Sequence, residues 1–322
     1  NPEVNIILGD IKLGQRKPDE AKRYYEAVVA KYPDDPRGYV KLGIIHQIKR
    51  NSRAALVEFE KALSKRPGMA DVLGMVAAVH ISSKEPAKAV DRIQSAIKDS
   101  PENPALYHLL ARTYIIMNDL VKAEEALKKT IEVNSGYIDA YFDLGGIYTR
   151  RGNAGEAVSQ YKEAVKINPK HLPSYMVLGV LYEKAGKTDE AIESYKSALN
   201  VNPKFAPAAN NLAWLYADKG GNIDVALTLA ETAKEAAPDH PAISDTLGWI
   251  YYKKQAYLKA VSLLKESSEK QPDNPVIRYH LGMAYYKKGE LKLAKAELKE
   301  SLRLNPGHEA AEDAKKALAE IK

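Results

Sequence analysis

The sequence has no cysteine, only 2 tryptophans and 3 phenylalanines, and no long uninterrupted apolar run. Without cysteine the chain forms no disulfide, no thiolate nucleophile and no cysteine-ligated metal site. A helix that crosses a bilayer needs roughly 18 apolar residues in succession, so we expect no transmembrane segment. Nothing at the N-terminus reads as a secretory signal peptide. With 45% hydrophobic and 28% charged residues, the composition excludes a disordered or fibrous chain.

What the sequence does contain is an internal repeat of 34 residues. Leu-Gly pairs mark its frame at Leu8-Gly9, Leu42-Gly43, Leu144-Gly145, Leu178-Gly179, Leu247-Gly248 and Leu281-Gly282. Taking the glycine as position 8 defines nine repeats, and the seventh holds one extra residue at Gly220-Gly221. The predicted repeats span residues 2–35, 36–69, 70–103, 104–137, 138–171, 172–205, 206–240, 241–274 and 275–308.

Other repeat positions predict a pair of helices in each unit. Position 20 is alanine in all nine repeats, and position 32 is proline in all but one, where Ser135 replaces it. Positions 4, 7, 8 and 11 share one face of the first helix, and positions 20, 24 and 27 share one face of the second. No proline falls within a predicted helix interior, which supports the boundaries.

This pattern of Leu-Gly, Tyr, Ala and Pro closely resembles the tetratricopeptide repeat over residues 2–308. The resemblance implies an all-α, right-handed superhelical α-solenoid of nine helix-turn-helix repeats, with the first helix of each repeat lining a concave groove. Residues 309–322 are predicted to form a C-terminal capping helix, because solenoids must close their apolar end. We expect the C-terminus to be natural and Asn1 to mark a cloning or processing boundary, since the first repeat has no preceding cap.

Motifs for catalysis and for cofactor or metal binding are missing from the sequence. The sequence pairs no candidate nucleophile with a candidate general base, and its histidines are not spaced as metal ligands are. We therefore expect that the chain is not an enzyme and that it has no cofactor and no metal site. His46 and His80 occupy packing positions, whereas His108 and His280 fall on or beside the groove face, where a simply exposed histidine is the more frequent outcome. The net charge is +6, but the basic residues are scattered over outer faces and form no continuous stripe, so we expect no nucleic-acid binding.

Candidate ligand contacts cluster in repeats 7 to 9. In tetratricopeptide repeats the groove contacts usually come from positions 2, 5, 9, 12 and 13 of the first helix. Aromatic residues beside a few charges give a large contact area at low entropic cost. The competing interpretation is that Trp214 and Trp249 only pack between neighbouring helices. The predicted groove residues are Asn210, Trp214, Asp218, Asp245, Trp249, Tyr252, Lys253, Tyr279, Met283, Tyr286 and Lys287.

A narrower resemblance concerns the same three repeats. Their segments 210–214, 245–249 and 278–282 are similar to the C-terminal repeats of bacterial tetratricopeptide lipoproteins. Those proteins accompany exopolysaccharide export and the associated PEP-CTERM protein-sorting system. The resemblance implies a periplasmic or outer-membrane-associated location if a signal peptide has been removed, and a cytoplasmic location otherwise.

The sequence therefore predicts a non-enzymatic interaction scaffold that holds a protein or peptide partner in its groove, in a bacterial envelope or exopolysaccharide assembly. Two other functions stay open at this stage. The chain could be a regulatory or substrate-recruiting segment of a larger enzyme. Alternatively, Trp214, Trp249, Tyr252 and Tyr286 could stack on the sugar rings of a polysaccharide. Self-association is a further alternative, because the first repeat is uncapped.

Overall fold

The computed structural model describes residues 1–321, and within that range the secondary structure consists of nineteen helices. The first eighteen form nine successive pairs, in which the first member is helix A and the second is helix B. The predicted class, an all-α solenoid of nine helix pairs plus a C-terminal helix, is confirmed. The helices are α1 Pro2–Gly14, α2 Pro18–Lys31, α3 Pro36–Ile48, α4 Ser52–Lys65, α5 Ala70–Ser82, α6 Pro86–Asp99, α7 Pro104–Ile116, α8 Leu120–Val133, α9 Ile138–Arg150, α10 Ala154–Ile167, α11 Leu172–Lys184, α12 Thr188–Val201, α13 Ala206–Asp218, α14 Ile223–Ala236, α15 Pro241–Lys253, α16 Tyr257–Lys270, α17 Pro275–Lys288, α18 Leu291–Leu304 and α19 Ala311–Glu320.

Helix A and helix B of one repeat meet where position 8 faces position 24. A Cβ atom added to Gly179 would lie 2.3 Å from the ring of Tyr195, so the ring occupies the space that any side chain would need. Every aromatic residue at position 24 faces a glycine in this way, whereas alanine at position 8 faces an aliphatic residue. The aromatic pairs are Gly9–Tyr25, Gly43–Phe59, Gly145–Tyr161 and Gly179–Tyr195; the alanine pairs are Ala77–Ile93, Ala111–Leu127 and Ala213–Ala230.

The alanine at position 20 lies at the centre of each helix pair. All nine of these alanines have no exposed surface, which explains why a small residue recurs there. They are Ala21, Ala55, Ala89, Ala123, Ala157, Ala191, Ala226, Ala260 and Ala294.

The turn between helix A and helix B contains one residue with positive φ in every repeat. Glycine adopts this left-handed conformation at no steric cost, and four of the nine positions are glycine. The seventh turn runs from Lys219 to Asn222 and is one residue longer than the three-residue turns of most other repeats. The extra residue predicted at Gly220-Gly221 therefore lies in this turn.

The chain divides into two compact units, one formed by residues 1–167 and the other beginning at Asn168. In the first unit, buried aliphatic and aromatic side chains of α3 to α9 form the main clusters. In its first helix, α1, the side chains of Val4, Ile7 and Ile11 are about half exposed. In the second unit, a cluster of α15 to α19 joins the last two repeats to the C-terminal helix.

The C-terminal helix α19 packs on the last repeat through Ala314, Ala317 and Ile321. The helix begins at Ala311, two residues later than predicted, because residues 306–310 form turns. There the buried His308 accepts a hydrogen bond at Nδ1 from the backbone N–H of Ala310, at 3.2 Å. Lys322, the last residue of the predicted capping helix, lies outside the described residues. None of the helices in residues 1–321 combines the length and apolar character required to cross a bilayer.

Candidate functional site

The second unit contains a cavity of about 550 Å³ between four successive helices A and the start of the C-terminal segment. Helices α11, α13, α15 and α17 each contribute side chains, so the cavity lies along the row of helices A on which the resemblance placed the groove. We call it the larger cavity, to distinguish it from a smaller cavity that adjoins it. Its lining residues are Glu183, Gly186, Thr188, Trp214, Leu215, Asp218, Lys219, Trp249, Tyr279, His280, Glu309, Ala310 and Asp313.

Aromatic rings form one wall of the larger cavity. The indole of Trp249 stacks on Tyr252, with ring centroids 4.5 Å apart and planes inclined by 7°, and on His280, at 4.1 Å and 22°. Tyr279 approaches the same indole at 5.9 Å. Trp214 lies 5.8 Å from the ring of His280. Both tryptophans are half-buried, so their positions are set by packing while part of each ring stays accessible.

His280 and Asp245 form a buried polar pair beneath these rings. Nδ1 of His280 lies 2.9 Å from a carboxylate oxygen of Asp245, and both residues are buried. The first unit repeats this arrangement, because Nε2 of His108 lies 2.9 Å from the carboxylate of Asp143. The expectation that His108 and His280 are exposed is therefore wrong. Positions 5 and 6 of adjacent repeats are neighbours, which gives each histidine a carboxylate partner, buried at Asp245 and partly exposed at Asp143.

Negative charge predominates around the larger cavity. Four carboxylates line it, from Glu183, Asp218, Glu309 and Asp313, against a single ammonium group from Lys219. Lys219 Nζ lies 2.7 Å from Asp218, and the hydrogen bond to Asp218, with the charges of Asp218, Glu309 and Glu183, raises the pKa of Lys219. Burial, with the added charges of Asp313 and Tyr252, raises the pKa of Tyr279 to about 12. Carboxylates that converge on the cavity contribute to both shifts, although burial is the main cause of the shift at Tyr279.

A smaller cavity of about 250 Å³ adjoins the larger one and shares Glu183 and Trp214 with it. Asn210, Asn211 and Asp245 also line this smaller cavity. The amide of Asn210 donates to the Oδ1 atom of Asn211 at 3.4 Å. Oδ1 of Asn210 itself is buried, and within residues 1–321 it has no hydrogen-bond donor. An unpaired buried acceptor that borders a cavity is available to an N–H group of a ligand.

Six of the predicted groove residues line these two cavities, and the other five do not. The six are Asn210, Trp214, Asp218, Asp245, Trp249 and Tyr279.

The other five predicted residues contact neighbouring parts of the second unit. Tyr252 supports the stacked ring of Trp249, and Nζ of Lys253 donates to the backbone carbonyl of Ala217 at 2.7 Å. Met283 packs in the cluster that includes the C-terminal helix, and the hydroxyl of Tyr286 donates to Glu320 of that helix. Lys287 borders a separate cavity beside the turn before α16. These five therefore position or flank the site without lining it.

The prediction missed the part of the site that comes from outside the helix A positions. Glu309, Ala310 and Asp313 belong to the C-terminal segment, which was expected only to cap the last repeat. Lys219 lies in the lengthened turn. The charged face of residues 309–316 is the sequence signal that could have indicated a role in the groove. Within residues 1–321, no group of three His, Cys, Asp or Glu side chains is arranged to hold a metal ion.

Comparison with known proteins connects this fold to a family. Models described as tetratricopeptide repeat match residues 8–70 and 137–204, and a third such model matches residues 50–113, 81–136, 182–250 and 251–320. No curated protein sequence matches the chain at a significant level.

Solved structures share the paired-helix architecture at low sequence identity. A chain of the APC/C hetero-tetramer Cut9–Hcn1 aligns with a TM-score of 0.57 and 18% identity, over 94% of this chain and 60% of that one. A tetratricopeptide repeat protein from Parabacteroides merdae aligns with a TM-score of 0.52 and 17% identity, over 78% of this chain and 98% of that one. This chain therefore spans 60% of the length of the first of these. Identities this low show a shared fold alone.

Proposed function

The chain belongs to the tetratricopeptide repeat family, and on that premise we propose that it is a non-catalytic scaffold that binds a segment of a partner protein along the helices A of its second unit. The observation that carries this proposal is the larger cavity, where Trp214, Trp249 and Tyr279 lie beside four carboxylates in one concave site. Binding pockets combine apolar and aromatic walls with a few polar groups in this way.

The site is preformed, which favours binding. Stacking against Tyr252 and His280 fixes the indole of Trp249, and the buried Asp245 in turn fixes the ring of His280. A partner therefore has to order few receptor side chains, and less of its interaction energy is lost to entropy. The unpaired Oδ1 atom of Asn210 adds an acceptor for a backbone N–H group of an extended segment.

Selection from a library of random short peptides tests the proposal, with Trp214→Ala as the groove variant. Trp214 is a better probe than Trp249, because truncating Trp249 also removes the stacking partner of Tyr252 and His280. We expect selected peptides to bind the groove variant about tenfold or more weakly. Leu293→Ala is the matched control, since Leu293 is 49% exposed and lines neither cavity. Selected peptides that bind all three proteins equally would contradict the proposal.

A polysaccharide ligand has less support from the geometry. Sugar rings stack on accessible aromatic faces, whereas the indole of Trp249 is stacked on Tyr252 and His280. The expected location in the envelope and the link to exopolysaccharide assembly stay predictions that rest on the sequence resemblance. A role as the recruiting segment of a larger enzyme also stays a prediction.

A further inference from the structure

The larger cavity combines aromatic walls, an excess of carboxylates and one lysine that belongs to the protein itself. We propose that the cavity receives a lysine or arginine side chain of the partner segment, and that Lys219 is an internal cation which this side chain displaces. The inference rests on the proposed function, since it specifies the chemistry of the segment that the groove binds.

The four carboxylates come from three separate parts of the chain, namely α11, α13 and the C-terminal segment, so their convergence is a tertiary feature. Glu183 lies near the C-terminus of α11, and Asp218 is the last residue of α13. Glu309 precedes α19, and Asp313 lies in the first turn of α19. Glu183 accepts a hydrogen bond from the hydroxyl of Tyr195, which orients it without neutralising its charge. Asp313 is also 3.1 Å from Lys316, an exposed residue that does not line the cavity.

The aromatic residues give the cavity a preference for a cation over a neutral polar group. The faces of tryptophan and tyrosine rings carry partial negative charge and attract ammonium and guanidinium groups. Trp214 and Tyr279 line the same cavity as Asp218 and Asp313. A guanidinium group fits this combination, because it pairs with carboxylates through a planar fork and stacks on aromatic rings.

Lys219 has a different kind of ion-pair partner from the other basic residues at position 14 of their repeats. Lys49, Arg151 and Lys254 reach back to carboxylates in the helix B of the preceding repeat: Asp19, Glu124 and Asp224, respectively.

In the lengthened seventh turn, Lys219 pairs with its neighbour Asp218 and lines the cavity. Glu309 and Glu183 also raise the pKa of Lys219, so its ammonium group already responds to the carboxylates that a partner cation would meet. Gly220, with φ of 78°, and Gly221 follow it directly. This glycine pair gives the lysine a flexible attachment from which it can leave the cavity.

Isothermal titration calorimetry with two matched peptides tests the proposal. One is an acetylated, amidated peptide of alternating glycine and arginine, and the other replaces each arginine by citrulline, which is neutral and nearly the same shape. We expect the arginine peptide to bind about tenfold more tightly. Asp313→Asn should weaken its binding severalfold, whereas Lys219→Met should strengthen it severalfold because the internal competitor is removed.

Two control variants separate these effects from the change in net charge. Asp273→Asn and Lys292→Met alter the charge by the same amounts at exposed residues outside the cavity, and we expect neither to change the affinity by more than about twofold. Equal binding of the two peptides, or an affinity unchanged by Lys219→Met, would overturn the inference. In that outcome the proposed function survives if library-selected peptides still depend on Trp214, and it fails if they do not.

Discussion

The imidazole of His280 lies 4.1 Å from the indole of Trp249, and its Nδ1 atom lies 2.9 Å from the carboxylate of Asp245. This relationship joins two adjacent repeats, because Asp245 and Trp249 belong to α15 and His280 belongs to α17. The same three residues face the cavities of the second unit. The groove surface therefore depends on a buried hydrogen bond that also holds the repeats together.

Removing the carboxylate of Asp245 should destabilise the second unit. Asp245→Ala leaves a buried imidazole without its partner, and we expect a loss of about 1–3 kcal/mol in the free energy of unfolding. The matched variant is Asp143→Ala in the first unit, which breaks the equivalent pair with His108. Asp143→Ala should lower the free energy of unfolding by less than Asp245→Ala does. The side chain of Asp143 is 28% exposed against 12% for Asp245, so water can take the place of the Asp143 carboxylate beside His108. Urea denaturation of both variants checks this order; a reversed order would contradict it.

Alanine at Gly179 should be costly, because its Cβ would lie 2.3 Å from the ring of Tyr195. We expect Gly179→Ala to lower the free energy of unfolding by about 1–3 kcal/mol through overpacking. Gly155→Ala is the control, since nothing lies within 4 Å of the added atom and alanine favours the helix.

The double variant Gly179→Ala with Tyr195→Leu recreates the Ala111–Leu127 pair that the chain already contains in its fourth repeat. It should be more stable than the sum of the two single changes implies, which a double-mutant cycle in urea measures. Strict additivity would show that the ring and the glycine do not determine each other.

The paired helices could be predicted from the sequence because the repeat constrains them nine times over. Position 20 is alanine in every repeat, and the structure shows why, since each of these alanines is fully buried between the helices. The extra residue of the seventh repeat could also be placed, because only the turn can absorb an insertion without shifting the faces of both helices. The start of α19 was misplaced because the hydrogen bond from Ala310 to His308 leaves no periodic signal.

The site could be predicted only in part, because it combines residues that follow the repeat with residues that do not. Trp214 and Trp249 occupy a recurring repeat position that predicts a place on the groove face, and both line the larger cavity. Glu309 and Asp313 reach the cavity only through the docking of the C-terminal segment, which is a tertiary contact. The burial of His280 was missed for a related reason, since its partner Asp245 lies one repeat away.

His308 should make the docking of the C-terminal helix sensitive to pH. Burial lowers the pKa of His308, and the nearby His280 lowers it further, while Glu309 opposes this. The unfolded chain therefore takes up this proton at a higher pH than the folded chain does. The stability contributed by neutral His308 is complete above a pH of about 6.5 and is lost as the pH falls through the lowered pKa of the folded state.

Urea denaturation at about pH 7.5 and about pH 5.5 measures this loss for the wild type and for His308→Gln. Glutamine keeps a hydrogen-bonding side chain but does not titrate, so its loss of stability on acidification should be smaller than that of the wild type. An equal loss in both proteins would assign the effect to other groups.

The most direct test of the binding role uses fluorine NMR on protein labelled with 5-fluorotryptophan. The chain has 2 tryptophans, both of which line the larger cavity, so each resonance reports on the site. Trp214→Phe assigns the two signals. When a library-selected peptide is added, we predict that the Trp214 resonance shifts and saturates with the same Kd that calorimetry gives. A peptide that binds in calorimetry while both resonances stay unchanged would contradict the assignment of this groove as the partner-binding site.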